Sequence, residues 1–193
     1  MGQFRLYFEL GYKHILDING FDHILFVIAL CAIYLARDWK KIIILITAFT
    51  IGHSITLAMA TLNIVRVNAD WIEFLIPVTI AITALANILK PKPSSSKGIQ
   101  LNYFFAIFFG LIHGLGFSNY LRSLLGREAS IFQPLLAFNI GLEVGQLLIV
   151  AIFLVSSSLI VGLLGVNRKE WTLVTSAIVL GMAIMMMIDT KFW

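Results

Sequence analysis

The chain has 193 residues, of which 60% are hydrophobic and 12% charged, and its mean hydropathy is +0.94. An ordinary soluble domain is about a quarter charged, so composition excludes a soluble globular protein. The formal charge of +4 does not indicate a nucleic-acid partner, because Lys and Arg stand singly or in pairs at the ends of apolar runs, as membrane topology requires.

The predicted architecture is all-α: a polytopic integral membrane protein, one transmembrane domain over residues 1–193 with about six transmembrane helices. A bilayer core about 30 Å thick needs roughly 20 apolar residues per crossing. Residues 1–19 carry Arg5, Glu9, Lys13 and Asp17 and lack the apolar core of a cleavable signal peptide. The helical spacing of Phe4, Tyr7, Phe8, Gly11, His14 and Ile15 predicts a short amphipathic helix at the membrane interface. Asn19-Gly20 then marks a turn.

Six apolar segments follow at about Phe21 to Ala36, Ile42 to Leu62, Trp71 to Leu89, Leu101 to Leu121, Phe132 to Ile160 and Trp171 to Ile188. Residues 90–100, with Lys90-Pro91-Lys92-Pro93 and three serines, read as a flexible connector between two three-helix halves. No sequence repeat between the halves is legible. The single Cys31 allows no intrachain disulfide. Met182, Met185, Met186 and Met187 read as lipid-facing or packing residues rather than soft copper ligands.

With six crossings both termini share one side. Placing them outside puts Arg37, Lys40, Lys41, Lys90, Lys92, Lys97, Arg168 and Lys169 in the inner loops. The expected location is therefore a bacterial inner membrane with periplasmic termini.

Ionisable side chains inside hydrocarbon are costly and mark function by default. All four histidines, His14, His23, His53 and His113, sit in short polar islands rather than in the basic connectors. Counting 1.5 Å per residue from the helix ends places His23, His53 and His113 at compatible depth in the outer half. Asp22 and Glu143 lie near enough to join them. Thr50, His53 and Ser54 share one helix face, and Asn139, Glu143 and Gln146 share another.

Imidazole and carboxylate together suit a divalent transition metal such as nickel, cobalt or zinc. The expected metal ligands are His14, Asp22, His23, His53, His113 and Glu143, supported by Thr50, Ser54, Glu73, Asn139 and Gln146. Gly110 with Gly114 and Gly141 with Gly145 have the spacing that lets helices approach closely. The partners implied are the bilayer and the metal ion; nothing calls for an oligomer.

These residues carry a resemblance. His14 with Asp22-His23-Ile24-Leu25-Phe26, the run from Phe49 through Gly52-His53-Ser54 to Leu57, His113-Gly114-Leu115-Gly116-Phe117, and the run from Phe138 through Gly141 and Glu143 to Gln146 are similar to the HupE/UreJ family of small bacterial membrane proteins. That resemblance implies a nickel or cobalt permease. A second reading from the residues alone is an intramembrane metal-dependent hydrolase, in which three histidines hold the ion and Glu143 acts as general base on bound water.

Overall fold

The computed structural model describes residues 2–89, 96–125 and 131–193. All regular structure among them is helical: α1 (Gln3–Ile15), α2 (Asp22–Cys31), a 3-10 turn (Ala36–Asp38), α3 (Trp39–Thr61), α4 (Ala69–Leu89), α5 (Ser96–Gly116), α6 (Ser118–Leu125), α7 (Phe132–Ser157) running into a π turn, and α8 (Arg168–Asp189).

Four of these helical stretches are long and apolar enough to cross a bilayer: Ala36–Thr61, Ala69–Leu89, Phe132–Leu163 and Arg168–Asp189. A fifth crossing results if α5 and α6, bent by 55° at Phe117, count as one broken span. The expected first span is shorter than its apolar run, because α2 has only ten residues and reaches about 15 Å, half the hydrocarbon thickness. Its C-terminal end stops inside the bundle, where water is not at hand to satisfy the free carbonyls. Side chains do so instead: Asn87 Nδ2 donates to Ala29 O at 2.7 Å, Thr172 Oγ1 to Ala32 O at 2.9 Å and Arg168 to Ile33 O at 2.6 Å. Residues 96–100 of the expected connector are helical, and 90–95 lie outside the described residues.

The N-terminal segment is a helix, but it is packed on another helix, which the interfacial expectation did not foresee. Its buried face carries Tyr7, Gly11 and Ile15 and lies on α7 with backbone against backbone. A Cβ on Gly11 would collide with the Phe138 carbonyl and press on Leu142 N, and one on Gly141 would collide with the Phe8 carbonyl and press on Tyr12 N. One turn on, Gly145 meets Ile15 and the Tyr12 carbonyl, so the contacts advance together along both chains and the helices are parallel. The outer face of α1 keeps its charges exposed, with Arg5 and Lys13 flanking Glu9 at 3.2 and 3.7 Å.

The same contact occurs once more. A Cβ on Gly110 of α5 would meet the Phe49 carbonyl and His53 N of α3, and one on Gly52 would meet the Ile107 carbonyl and Leu111 N. Residue for residue, α5 on α3 repeats α1 on α7. The order of elements repeats with it, since α1, a short α2, α3 and α4 correspond to α5, a short α6, α7 and α8. The connectors that follow α3 and α7 also match. Each turns on a left-handed residue, Asn63 at φ 59° and Gly165 at φ 71°. Each then reaches an asparagine, Asn68 or Asn167, that accepts from the backbone N two residues on ahead of Asp70-Trp71 or Glu170-Trp171.

The two units are inverted. Trp71 and Phe74, at the start of α4, meet Phe192 just past the end of α8, at 4.7 and 6.4 Å between ring centroids. The counterparts α4 and α8 therefore run in opposite directions, as α4 and α5 also do, where Ile76 faces Gly116 and Thr79 faces His113. A chain in which no repeat could be read thus folds as two inverted units, each supplying a helix to the other's glycine seam.

Bulky side chains at these seams would force backbones apart, at a cost of about 1–3 kcal/mol or more for overpacking. Gly52→Val and Gly141→Val are expected to lower the thermal unfolding temperature of the detergent-solubilised protein sharply. Gly181→Ala is expected to leave it unchanged or raised, because no atom lies within 4 Å of that position and alanine is the better helix former.

Candidate metal centre

The glycine seams decide where the histidines go. His14 follows Gly11 by three residues, His113 follows Gly110 by three, and His53 is next to Gly52, so the closest backbone approaches lie beside the imidazoles. The turn at residues 16–21 brings α2 back against the same place. Ring centroids of His14 and His23 are 4.6 Å apart, those of His23 and His113 5.3 Å, and those of His23 and His53 5.9 Å.

Among the described residues, two sets have ligand atoms within 4.8 Å of one another: His14, His23 and His53, and Asp22, His23 and His113. Ligands of a tetrahedral ion at about 2.0–2.1 Å lie about 3.3 Å apart, a distance that small ring rotations would close. His23 is common to both sets and stands at the centre.

The hydrogen bonds fix which nitrogens are free. Thr79 Oγ1 gives its one hydrogen to Ile76 O at 2.7 Å and so meets His113 Nε2 at 3.0 Å as an acceptor. His113 must then carry its proton on Nε2, which leaves the Nδ1 lone pair bare. His23 Nδ1 lies 3.2 Å from Asp22 Oδ1, which places the proton there and leaves Nε2 bare. His113 Nδ1, His23 Nε2, His14 Nε2 and both nitrogens of His53 are buried without a partner. Leaving such atoms unpaired costs about 1–3 kcal/mol each, so the arrangement is one that a cation would relieve. Imidazole-rich ligands with one carboxylate fit zinc, nickel or cobalt and do not suit calcium or magnesium.

Aromatic rings enclose the cluster. Phe117, at the α5–α6 break, lies 3.9 Å from His14 between centroids and stacks on Phe138 at 5.2 Å. Phe26 and Phe49 lie 4.9 and 5.2 Å from His113.

Five of the six expected ligands, His14, Asp22, His23, His53 and His113, are thus brought together. Glu143 is held elsewhere, accepting a 2.7 Å hydrogen bond from Thr47 Oγ1. Of the expected supporting residues, Thr50 bonds Gln146 at 2.7 Å, Ser54 donates back to Thr50 O and Asn139 to Leu135 O. Among the described residues, none of these side chains is hydrogen-bonded to a histidine. Glu73 is exposed at the start of α4. Sequence reasoning missed Thr79, whose role appears only when α4 packs on α5.

Fold and cluster together define a helical membrane protein with a buried histidine–carboxylate group able to hold a metal ion. The chain matches the family described as HupE / UreJ protein over residues 1–192 and belongs to it. No curated protein and no solved structure matches.

Thr79 fixes a tautomer without touching the ion, and losing such a support typically costs 10–100-fold in metal affinity. Thr79→Val is accordingly expected to weaken zinc or nickel binding by about that factor, read by competition with a chromogenic chelator. Unchanged affinity would show that His113 is not a ligand.

Proposed function

We propose that this protein is a permease for a divalent transition metal ion, nickel or cobalt in the first instance, as membership of the HupE/UreJ family suggests. It would sit in a bacterial inner membrane with both termini on the periplasmic side. The observation that carries this reading is the position of the histidine cluster in an inverted repeat. It lies where the two units meet, beside the break between α1 and α2 and the break between α5 and α6. Inverted repeats with discontinuous helices at a central site are the construction of many secondary transporters.

Counting α1 with α2 and α5 with α6 as broken spans gives each unit three crossings, and three crossings per unit are what inverts the second. Lys40 and Lys41 at the start of α3 share one end of the bundle with Arg168 and Lys169 at the start of α8, which supports that end as the inner one. The units also differ in state. His113 is tied to α4 through Thr79, whereas its counterpart His14 has Nε2 unpartnered and is stacked on Phe117. Two equivalent units held in different arrangements are what alternating access requires.

The hydrolase reading needs a carboxylate free to act as base on bound water. Glu143 lies outside both histidine sets, and Asp22 is bonded to His23 and belongs to one of them, so the arrangement favours transport.

Reconstituted in proteoliposomes, the protein is expected to admit nickel or cobalt, detected by a dye trapped inside. A His53→Ala, His113→Ala double variant of equal thermal stability is expected to admit none. Full uptake by that variant, or no uptake by the wild-type protein with any of nickel, cobalt or zinc, would overturn the reading.

A further inference from the structure

The carboxylate expected among the histidines begins a second set of ligands. Glu143 and Gln146 lie one turn apart on one face of α7 and meet Thr47 and Thr50 of α3. Thr50 lies one turn from His53 on α3, and Thr47 one turn further, so this face extends about 9 Å from the histidine cluster toward the start of α3.

Each residue has an oxygen to spare. Glu143 has Thr47 as its one polar partner among the described residues, although a carboxylate offers about four lone-pair positions. Gln146 is fully buried and pairs with Thr50 Oγ1, leaving its amide nitrogen unpaired. Thr50 Oγ1 also lies 3.1 Å from Ile46 O and has one hydrogen to give. Amide oxygen and nitrogen are assigned from such networks. With the amide turned over, Gln146 donates to Thr50, Thr50 donates to Ile46 O, and the unpaired atom becomes the amide oxygen.

We propose that Glu143 and Gln146 form a second cation site, made of oxygen and separate from the histidine cluster. It would take the same divalent ion in a partly hydrated, six-coordinate form. This rests on the permease reading and extends it. A nitrogen-rich cluster holds a borderline ion tightly and selects it. An oxygen site keeping several waters binds the same ion weakly, and conduction requires a place weak enough to leave. A carboxylate at this depth without a cationic partner is otherwise costly, which sets it apart from interhelical hydrogen bonding by threonine or glutamine.

Cobalt(II) is the probe, because a tetrahedral imidazole site and a six-coordinate oxygen site differ strongly in visible absorption. Titrating the detergent-solubilised full chain should show one tight equivalent with intense bands and a second, weaker equivalent that is nearly colourless. Glu143→Gln preserves shape and the Thr47 bond. It is expected to keep the tight equivalent, lose the weak one and lower cobalt uptake into proteoliposomes by about tenfold or more. His53→Ala is expected to do the reverse in the titration. Glu143→Asp, which retains the charge, should recover part of the weak equivalent.

Loss of the tight equivalent in a correctly folded Glu143→Gln protein would make Glu143 a ligand of the first site and overturn the proposal. So would persistence of the weak equivalent in that variant. If both equivalents respond as stated but the wild-type protein transports nothing, the permease reading fails and the second site stands.

Discussion

The structure depends on five places where a glycine lets the backbones of two helices touch: Gly11 and Gly141 between α1 and α7, and Gly52, Gly110 and Gly114 between α3 and α5. In a bilayer, lipid tails are as apolar as leucine, so apolar burial alone does not choose one helix neighbour over another. Dispersion at short range does, together with weak Cα–H contacts to carbonyl oxygen. A face without side chains is the strongest such address a helix can carry. Because the two contacts repeat residue for residue, they also make the two halves one inverted structure.

The histidine cluster follows from that constraint. Each histidine of the seam helices lies within three residues of a seam glycine, so minimum helix separation and ligand convergence occur at the same level. His23 comes from α2, whose half-length is possible only because Asn87, Thr172 and Arg168 satisfy its last carbonyls. Protons are then placed by neighbours, Asp22 for His23 and Thr79 for His113. Both leave a bare nitrogen facing the centre.

Below the histidines, on the face of α3 that leads to its N-terminal end, the ligand chemistry changes from nitrogen to oxygen. In the proposed permease, that change would serve a carried ion in sequence: selection by imidazole, then release through weaker, wetter ligands. It also accounts for a carboxylate within a transmembrane helix whose one protein partner is a threonine hydroxyl.

Much of this was legible in the residues. Apolar length is a local property, and the predicted limits of α3, α4, α7 and α8 agree with the structure to within a few residues. Depth along a helix is nearly as local, so His23, His53 and His113 could be placed at one level by counting. The same count put Glu143 with them, because rise fixes height and says nothing of which seam a side chain enters. Azimuth and partner are set by how helices pack, and that decided four things. It set α1 on α7, ended α2 halfway, gave His113 its tautomer through Thr79, and sent Glu143 to Thr47. The repeat itself was invisible for the same reason. What the halves share is a register of bare glycine faces against carbonyls, and few side chains are needed to specify it. The sequence alone determined a helical membrane protein whose histidines lie at one depth. Only the packing of backbone on backbone decided the inverted pairing and which residues form each site.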